Sequence, residues 1–161
     1  MIVVCDTGPL IALAKLDQLS LLRQVFSHVL IPPAVQRELL AKSGPESARL
    51  DNAMEDLIRV GPPGPLSPEV KLATQRLNIG EQQAVALAHQ HQALLVIDDR
   101  LGRVAAQRMG LAVTGSVGVL LRAKEARLIP GVHPLLDEMR RSGYWLSDET
   151  VAIAVKLAGE G

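Results

Sequence analysis

Aromatic side chains are almost missing from this sequence. Phe26, Tyr144 and Trp145 are the only ones among 161 residues, while apolar residues make up 48%. The core must therefore be aliphatic, and an RNA-binding surface built on many stacked aromatics is not expected. Cysteine is just as scarce. The lone Cys5 rules out an internal disulfide and any zinc site built from several cysteines. Beside Asp6 on a strand it would face the opposite way, and its expected role is that of a small buried filler. No apolar run reaches spanning length. Met1 opens directly on an apolar stretch without a basic flank, so no signal peptide is expected and the protein is read as soluble and cytoplasmic. Net charge is absent too: 17 basic and 17 acidic residues cancel. That argues against a protein that grips nucleic acid by bulk charge. No phosphate-cradling glycine motif, internal repeat or low-complexity tract occurs.

What is present begins at the first residues. Ile2-Val3-Val4-Cys5 is a short apolar run that stops at an acid, Asp6-Thr7-Gly8-Pro9, before a second apolar stretch, Leu10 to Leu16. This predicts a buried strand, a tight turn at Gly8 and Pro9, and then a helix. A strand without alternation suits a parallel sheet covered on both faces, and ligands in such sheets bind beyond the carboxyl ends of the strands. A carboxylate there has lost much of its water and needs donors or a cation. The simplest alternative is that Asp6 caps the following helix.

The chain then reads in order as short elements. Leu19 to Phe26 is a helix and Val29-Leu30-Ile31 a strand, ended by Pro32-Pro33. Pro33 opens a helix that continues from Ala34 to Ala41 and carries Glu38. Ser47 to Asp56 is a helix, Leu57 to Val60 an edge strand, and Gly61 to Pro65 the clearest loop. Ser67 caps a helix that begins with Pro68 and runs to about Leu77. Asn78 to Gly80 break it, and a small-residue helix from Gly80 to His89 carries Glu81 in its first turn. There a glutamate also interacts favourably with the helix dipole. Leu94 to Ile97 is a second apolar strand, and it too stops at acid, Asp98-Asp99-Arg100. A helix from Arg103 to Met109, a strand at Leu111 to Val113 and a helix from Val117 to Ala126 complete a βαβ pattern. Two further helices, Pro134 to Arg141 and Asp148 to Lys156, follow. The prediction is an α/β fold with a central parallel sheet. The length fits one domain, residues 1–161, with a core of about 1–128 and a helical extension of about 129–161.

Two strands thus end independently in acids, and Glu38 and Glu81 stand on helices that would pack near them. Packed carboxylates raise one another's pKa unless a cation compensates. Oxygen ligands without histidine or cysteine select hard cations, Mg²⁺ or Mn²⁺, which bind substrate phosphates and serve phosphodiester hydrolysis. His89 and His91, two apart on a helix, cannot face one site. From Arg100 to Arg127 six basic residues stand against the single acid Glu125; they form either a phosphate-facing patch or an ordinary solvated helix face.

These segments resemble the PIN domains, the VapC-like ribonucleases. Val3-Val4-Cys5-Asp6-Thr7-Gly8-Pro9-Leu10 looks like their opening. Leu30-Ile31-Pro32-Pro33-Ala34-Val35-Gln36-Arg37-Glu38-Leu39 resembles their second acidic segment. The stretches from Gly80-Glu81 to Ala88 and from Leu94 to Asp98-Asp99-Arg100 resemble the third and fourth. The likeness covers most of Met1 to Leu121. It implies a three-layer α/β/α sandwich and a Mg²⁺- or Mn²⁺-dependent endoribonuclease acting on RNA. Such proteins are often the toxin of a toxin–antitoxin pair, with a cognate antitoxin protein as partner, and homodimeric. Asp6, Glu38, Glu81 and Asp99 would be the catalytic and metal carboxylates, with Asp98 a further metal acid and Thr7 hydrogen-bonding near Asp6. Arg100 and Arg103 would meet RNA phosphates. Two departures stand out. The third acid of many members is an aspartate inside a helix, whereas Glu81 follows a glycine at a helix start. The doubled Asp98-Asp99 leaves the fourth ligand open, with Asp99 favoured by its place before Arg100. The tail beyond Pro130 exceeds the minimal domain and resembles a less-studied subgroup. The alternative function is a catalytically inactive PIN-like module that binds RNA or a protein.

Overall fold

In the computed structural model, which describes residues 1–161, strands and helices alternate from the start of the chain. The first half comprises β1 (Ile2–Cys5), α1 (Thr7–Lys15), α2 (Ser20–Val25), β2 (His28–Ile31), α3 (Pro33–Ala41), α4 (Ser47–Asp56) and β3 (Ile58–Val60). The second comprises α5 (Pro68–Thr74), α6 (Ile79–His91), β4 (Leu94–Val96), α7 (Arg100–Arg108), β5 (Val113–Thr114), α8 (Ser116–Glu125), α9 (His133–Arg141) and α10 (Asp148–Leu157). The five strands form one sheet in the order β3-β2-β1-β4-β5. Every pairing is parallel, with Val4 of β1 opposite Leu30 on one side and Leu95 on the other.

The absence of alternation in β1 and β4 has a direct structural cause. Val3 and Cys5 of β1, with Leu94 and Val96 of β4, enter a core shared with α1, α2, α4 and α8. Val4, Leu95 and Ile97 point to the other face and meet Ala84, Val85, Leu87 and Ala88 of α6 and Ala106 of α7. Both faces are covered, so both must be apolar. This is a three-layer α/β/α sandwich. Cys5 is fully buried and unpaired, a filler in the larger core.

Three local expectations are corrected. α1 begins at Thr7, with Gly8 and Pro9 inside its first turn. First-turn residues have no intrahelical acceptor for their N–H groups, so Pro9 loses nothing there. α5 stops at Thr74, short of Leu77, and Asn78 caps α6, which starts at Ile79. β5 is Val113–Thr114, later than Leu111 to Val113. Leu111 belongs to the end of α7: Gly110, with φ +77°, turns the chain, and the Leu111 N–H donates to the Ala106 carbonyl at 3.0 Å. Its side chain then buries against α6 and β4, the apolar contact that accompanies such a helix stop.

The last two helices are built onto the same core. Leu136 and Met139 of α9 and Val151 and Ala154 of α10 belong to the cluster that contains Val3 and Leu120. A polar clamp holds them. Lys124 of α8 donates to Glu160 at 2.8 Å and to the Ala158 carbonyl at 2.6 Å, while Glu160 accepts the Val132 and His133 N–H groups at the start of α9. No helix is long and apolar enough to cross a membrane.

Candidate active site

All five strands run the same way, so their carboxyl ends share one rim. β1 and β4 are neighbours, and the Asp6 N–H donates to the Val96 carbonyl at 2.9 Å. The acid after β1 therefore lies beside the acids that follow β4. Asp6 is buried, only 7% exposed. It occupies the N-cap position of α1, yet its carboxylate makes no capping bond, so capping does not explain it.

Glu38 reaches this rim from α3. Its carboxylate accepts the Thr7 hydroxyl at 2.6 Å, so the side chain of Thr7, next to Asp6, holds Glu38. The approach depends on Gly80: a Cβ there would overlap Glu38 Oε1. Gln83 of α6 also accepts the Ala34 N–H at 3.0 Å, which fixes the start of α3 against α6. Glu81 sits in the first turn of α6 in a reciprocal capping arrangement. Asn78 Oδ1 accepts its N–H at 2.8 Å, and its own carboxylate accepts from Asn78 Nδ2 at 2.8 Å. Asp99 caps α7 by accepting the Gly102 N–H at 2.8 Å.

The electrostatics group these acids. Burial pushes the Asp6 carboxyl up to about 7; the Thr7 N–H pulls it back in part, and Glu81, Glu38 and Asp99 push it further up. Glu81 is raised as well, by burial first and then by Asp99, with Glu38 adding to it and Asn78 opposing it. Asp98 points elsewhere. Its carboxylate accepts the Ser116 N–H at 2.8 Å and the Tyr144 hydroxyl. Gly115 makes room for it, because a Cβ there would overlap Asp98 Oδ1. Burial, and then the Asp98 charge, raise the Tyr144 hydroxyl above its ordinary range. The doubled acid is thus split: Asp99 joins Asp6 and Glu81, and Asp98 holds the tail.

A comparison with family models matches residues 2–160 to DUF3368, described as a PIN domain. The chain belongs to the PIN-domain family. Comparison with curated proteins and with solved structures gives no significant match. PIN domains are generally nucleases that use divalent metals, and this one carries a nuclease fold in a family associated with nucleic acid. The donor set at its strand ends fits a hard divalent cation: four carboxylates, one of them buried, with Cys5 turned to the opposite face. The side chains are not closed up around one point, and no three His, Cys, Asp or Glu groups meet as ligands of a single ion. Glu38, Glu81 and Asp99 are instead held by Thr7, Asn78 and Gly102.

Arg103 of this PIN domain is half-buried, and it lines a cleft of about 620 Å³ with Asp98 and Asp99. Arg100 is exposed at the start of α7. Others of the basic residues have structural duties: Lys124 clamps the tail, and Arg122 lies 5.6 Å from the Phe26 ring centre. Sequence reasoning missed Asn78, Gly80, Gln83 and Tyr144. The Asn78-x-x-Glu81 spacing was a readable capping signal. For Tyr144 the only hint was the rarity of aromatics.

Proposed function

We propose that this chain is a Mg²⁺- or Mn²⁺-dependent endoribonuclease that hydrolyses RNA phosphodiester bonds. It acts in the cytoplasm as the toxin of a toxin–antitoxin pair, as a homodimer, with residues 1–161 working as one PIN-like domain. The observation that carries the nuclease reading is a buried Asp6, raised first by that burial and further by three nearby carboxylates, Glu81, Glu38 and Asp99, at the rim of a PIN-family sheet. A site that only binds gains nothing from burying like charges. The toxin, antitoxin and dimer parts rest on the likeness of the acidic segments to the VapC-like ribonucleases.

In this reading Asp6, Glu38, Glu81 and Asp99 hold the cation. When bound, a divalent ion of this kind acidifies water and offsets charge on a phosphodiester. Asp6 is the buried anchor, and burial keeps its carboxylate fixed. Thr7 orients Glu38, and Asn78 orients Glu81. Asp98, with its oxygens taken by Ser116 and Tyr144, is a positioning residue more than a ligand. Arg100 and Arg103 meet the RNA phosphates as the chain leaves Asp99.

The test is cleavage of a labelled single-stranded RNA by the wild type and Asp6→Asn in Mn²⁺, in Mg²⁺ and in chelator. Metal-dependent cutting by the wild type alone is expected. Equal cutting by both would remove Asp6 from the mechanism. Tight RNA binding in chelator with no turnover on adding Mn²⁺ would favour the inactive binding module.

A further inference from the structure

The cleft lined by Asp99 is walled in part by the segment between α9 and α10, Tyr144 to Ser147. Its volume, about 620 Å³, falls within the range of roughly 300–1,000 Å³ typical of small-molecule sites. Trp145 stands on this wall and is 82% exposed, more than any other large apolar side chain in the molecule. An indole left in water this way, in a chain with three aromatics, lacks a packing explanation. It is not on a loose segment. Tyr144 on one side is tied to Asp98 and, through its N–H, to the Met139 carbonyl at 3.1 Å. Leu146 on the other side packs against the main core, and Ser147 caps α10 by accepting the Thr150 N–H at 3.0 Å. The lining also includes Arg103, whose guanidinium makes no ion pair within 4.0 Å even though Asp98 and Asp99 line the same cleft. An exposed flat π surface on an anchored segment, a cation without an ion-pair partner and the apolar side chains of Val117 and Leu146 in one cleft suit a planar base attached to a phosphate.

We propose that this cleft is a subsite for one unpaired nucleotide of the RNA next to the bond that is cut, with Trp145 stacking the base and Arg103 contacting its phosphate. The proposal rests on the nuclease reading above and adds what that reading lacks, a reason for the enzyme to prefer single-stranded substrate. A duplex keeps its bases stacked on one another and cannot place one on Trp145. The tail then does more than complete the core: Tyr144 binds Asp98 beside the site while its neighbour Trp145 faces substrate.

Trp145 is the only tryptophan, so its fluorescence reports this cleft alone. The full chain carrying Asp6→Asn, to prevent cleavage, is titrated with a single-stranded RNA hexamer and with an abasic ribose-phosphate hexamer of equal charge. Anisotropy of end-labelled oligomers reads binding, and tryptophan emission with unlabelled ones reads stacking. RNA should quench the emission and the abasic oligomer should not. Adding Trp145→Ala should weaken RNA roughly tenfold to a hundredfold and leave the abasic oligomer unchanged, whereas Trp145→Phe should keep most of the affinity. Arg103→Ala should weaken both oligomers and lower the salt dependence by about one phosphate contact. RNA that binds without quenching, or that binds equally well when Trp145 is alanine, would overturn the subsite and leave the nuclease standing. Failure of both oligomers to bind, with no cutting by the wild type in Mn²⁺, would bring down the nuclease reading and the subsite together.

Discussion

Asp6 carries an unfavourable load that its neighbours increase. Its carboxyl titrates near 7 in the fold and near 3.8 in a free chain, because burial and three nearby carboxylates, Glu81, Glu38 and Asp99, all oppose its charge. Between those two values the folded state holds more protons than the unfolded state, so stability falls as pH rises through the window. In chelator the melting temperature should therefore climb from pH 8 to pH 5, with a free-energy difference on the order of a few kcal/mol. Asp6→Asn should flatten that slope and raise the melting temperature at pH 8. A slope that survives the substitution would place the strain on another group. The residue itself was readable in the sequence: an apolar strand that stops at an acid needs a reason. Glu38 and Glu81 were expected near it from their helices; what the sequence did not show is how they are held, Glu38 by the Thr7 hydroxyl and Glu81 by Asn78.

Elements bring those acids together through close contacts that residue type alone does not announce. α3 and α6 approach closely enough for Glu38 to lie over Gly80. Gly80→Ala should be tolerated by the fold. The overlapping atom is the end of a flexible side chain, and alanine is the better helix former by roughly 1 kcal/mol. The site should tolerate it less, since the Glu38 carboxylate must leave its place. The expected outcome is an unchanged or slightly higher melting temperature with a fall of tenfold or more in Mn²⁺-dependent RNA cleavage; full activity would show that Glu38 acts from elsewhere. The strands were legible from their unbroken apolar runs, as burial on both faces removes alternation. The end of α7 was not, because Leu111 looks like a strand residue and serves instead as the apolar contact closing a helix at Gly110.

At the scale of the whole molecule, the tail decides how the doubled acid is shared. Tyr144 lies 46 residues beyond Asp98 and takes one of its oxygens, and no local pattern could have paired them. The sequence leaves the choice between Asp98 and Asp99 open; the fold gives them different partners, the Ser116 N–H and Tyr144 hydroxyl for Asp98 and the Gly102 N–H for Asp99. Tyr144→Phe removes a hydroxyl donor from a half-buried carboxylate and should cost roughly 1–3 kcal/mol in denaturant unfolding. Pairing it with Asp98→Asn should give a sum that is not additive, as for residues in one hydrogen-bond network. Additive losses would mean that the contact contributes little. The parallel α/β sheet was accessible from the unbroken apolar runs, and the three-layer order from the resemblance of the acidic segments to PIN domains; the joining of α9 and α10 to the core through Lys124 and Glu160 was not.

The most direct test of the site is a calorimetric titration of Mn²⁺ into the wild type, Asp6→Asn and Asp99→Asn at pH 7. Four carboxylates sharing a cation predict saturable binding to the wild type, release of roughly half a proton as Asp6 gives up its share, and severe weakening in both variants. Equal affinity and no proton release in all three proteins would contradict a metal site built on Asp6.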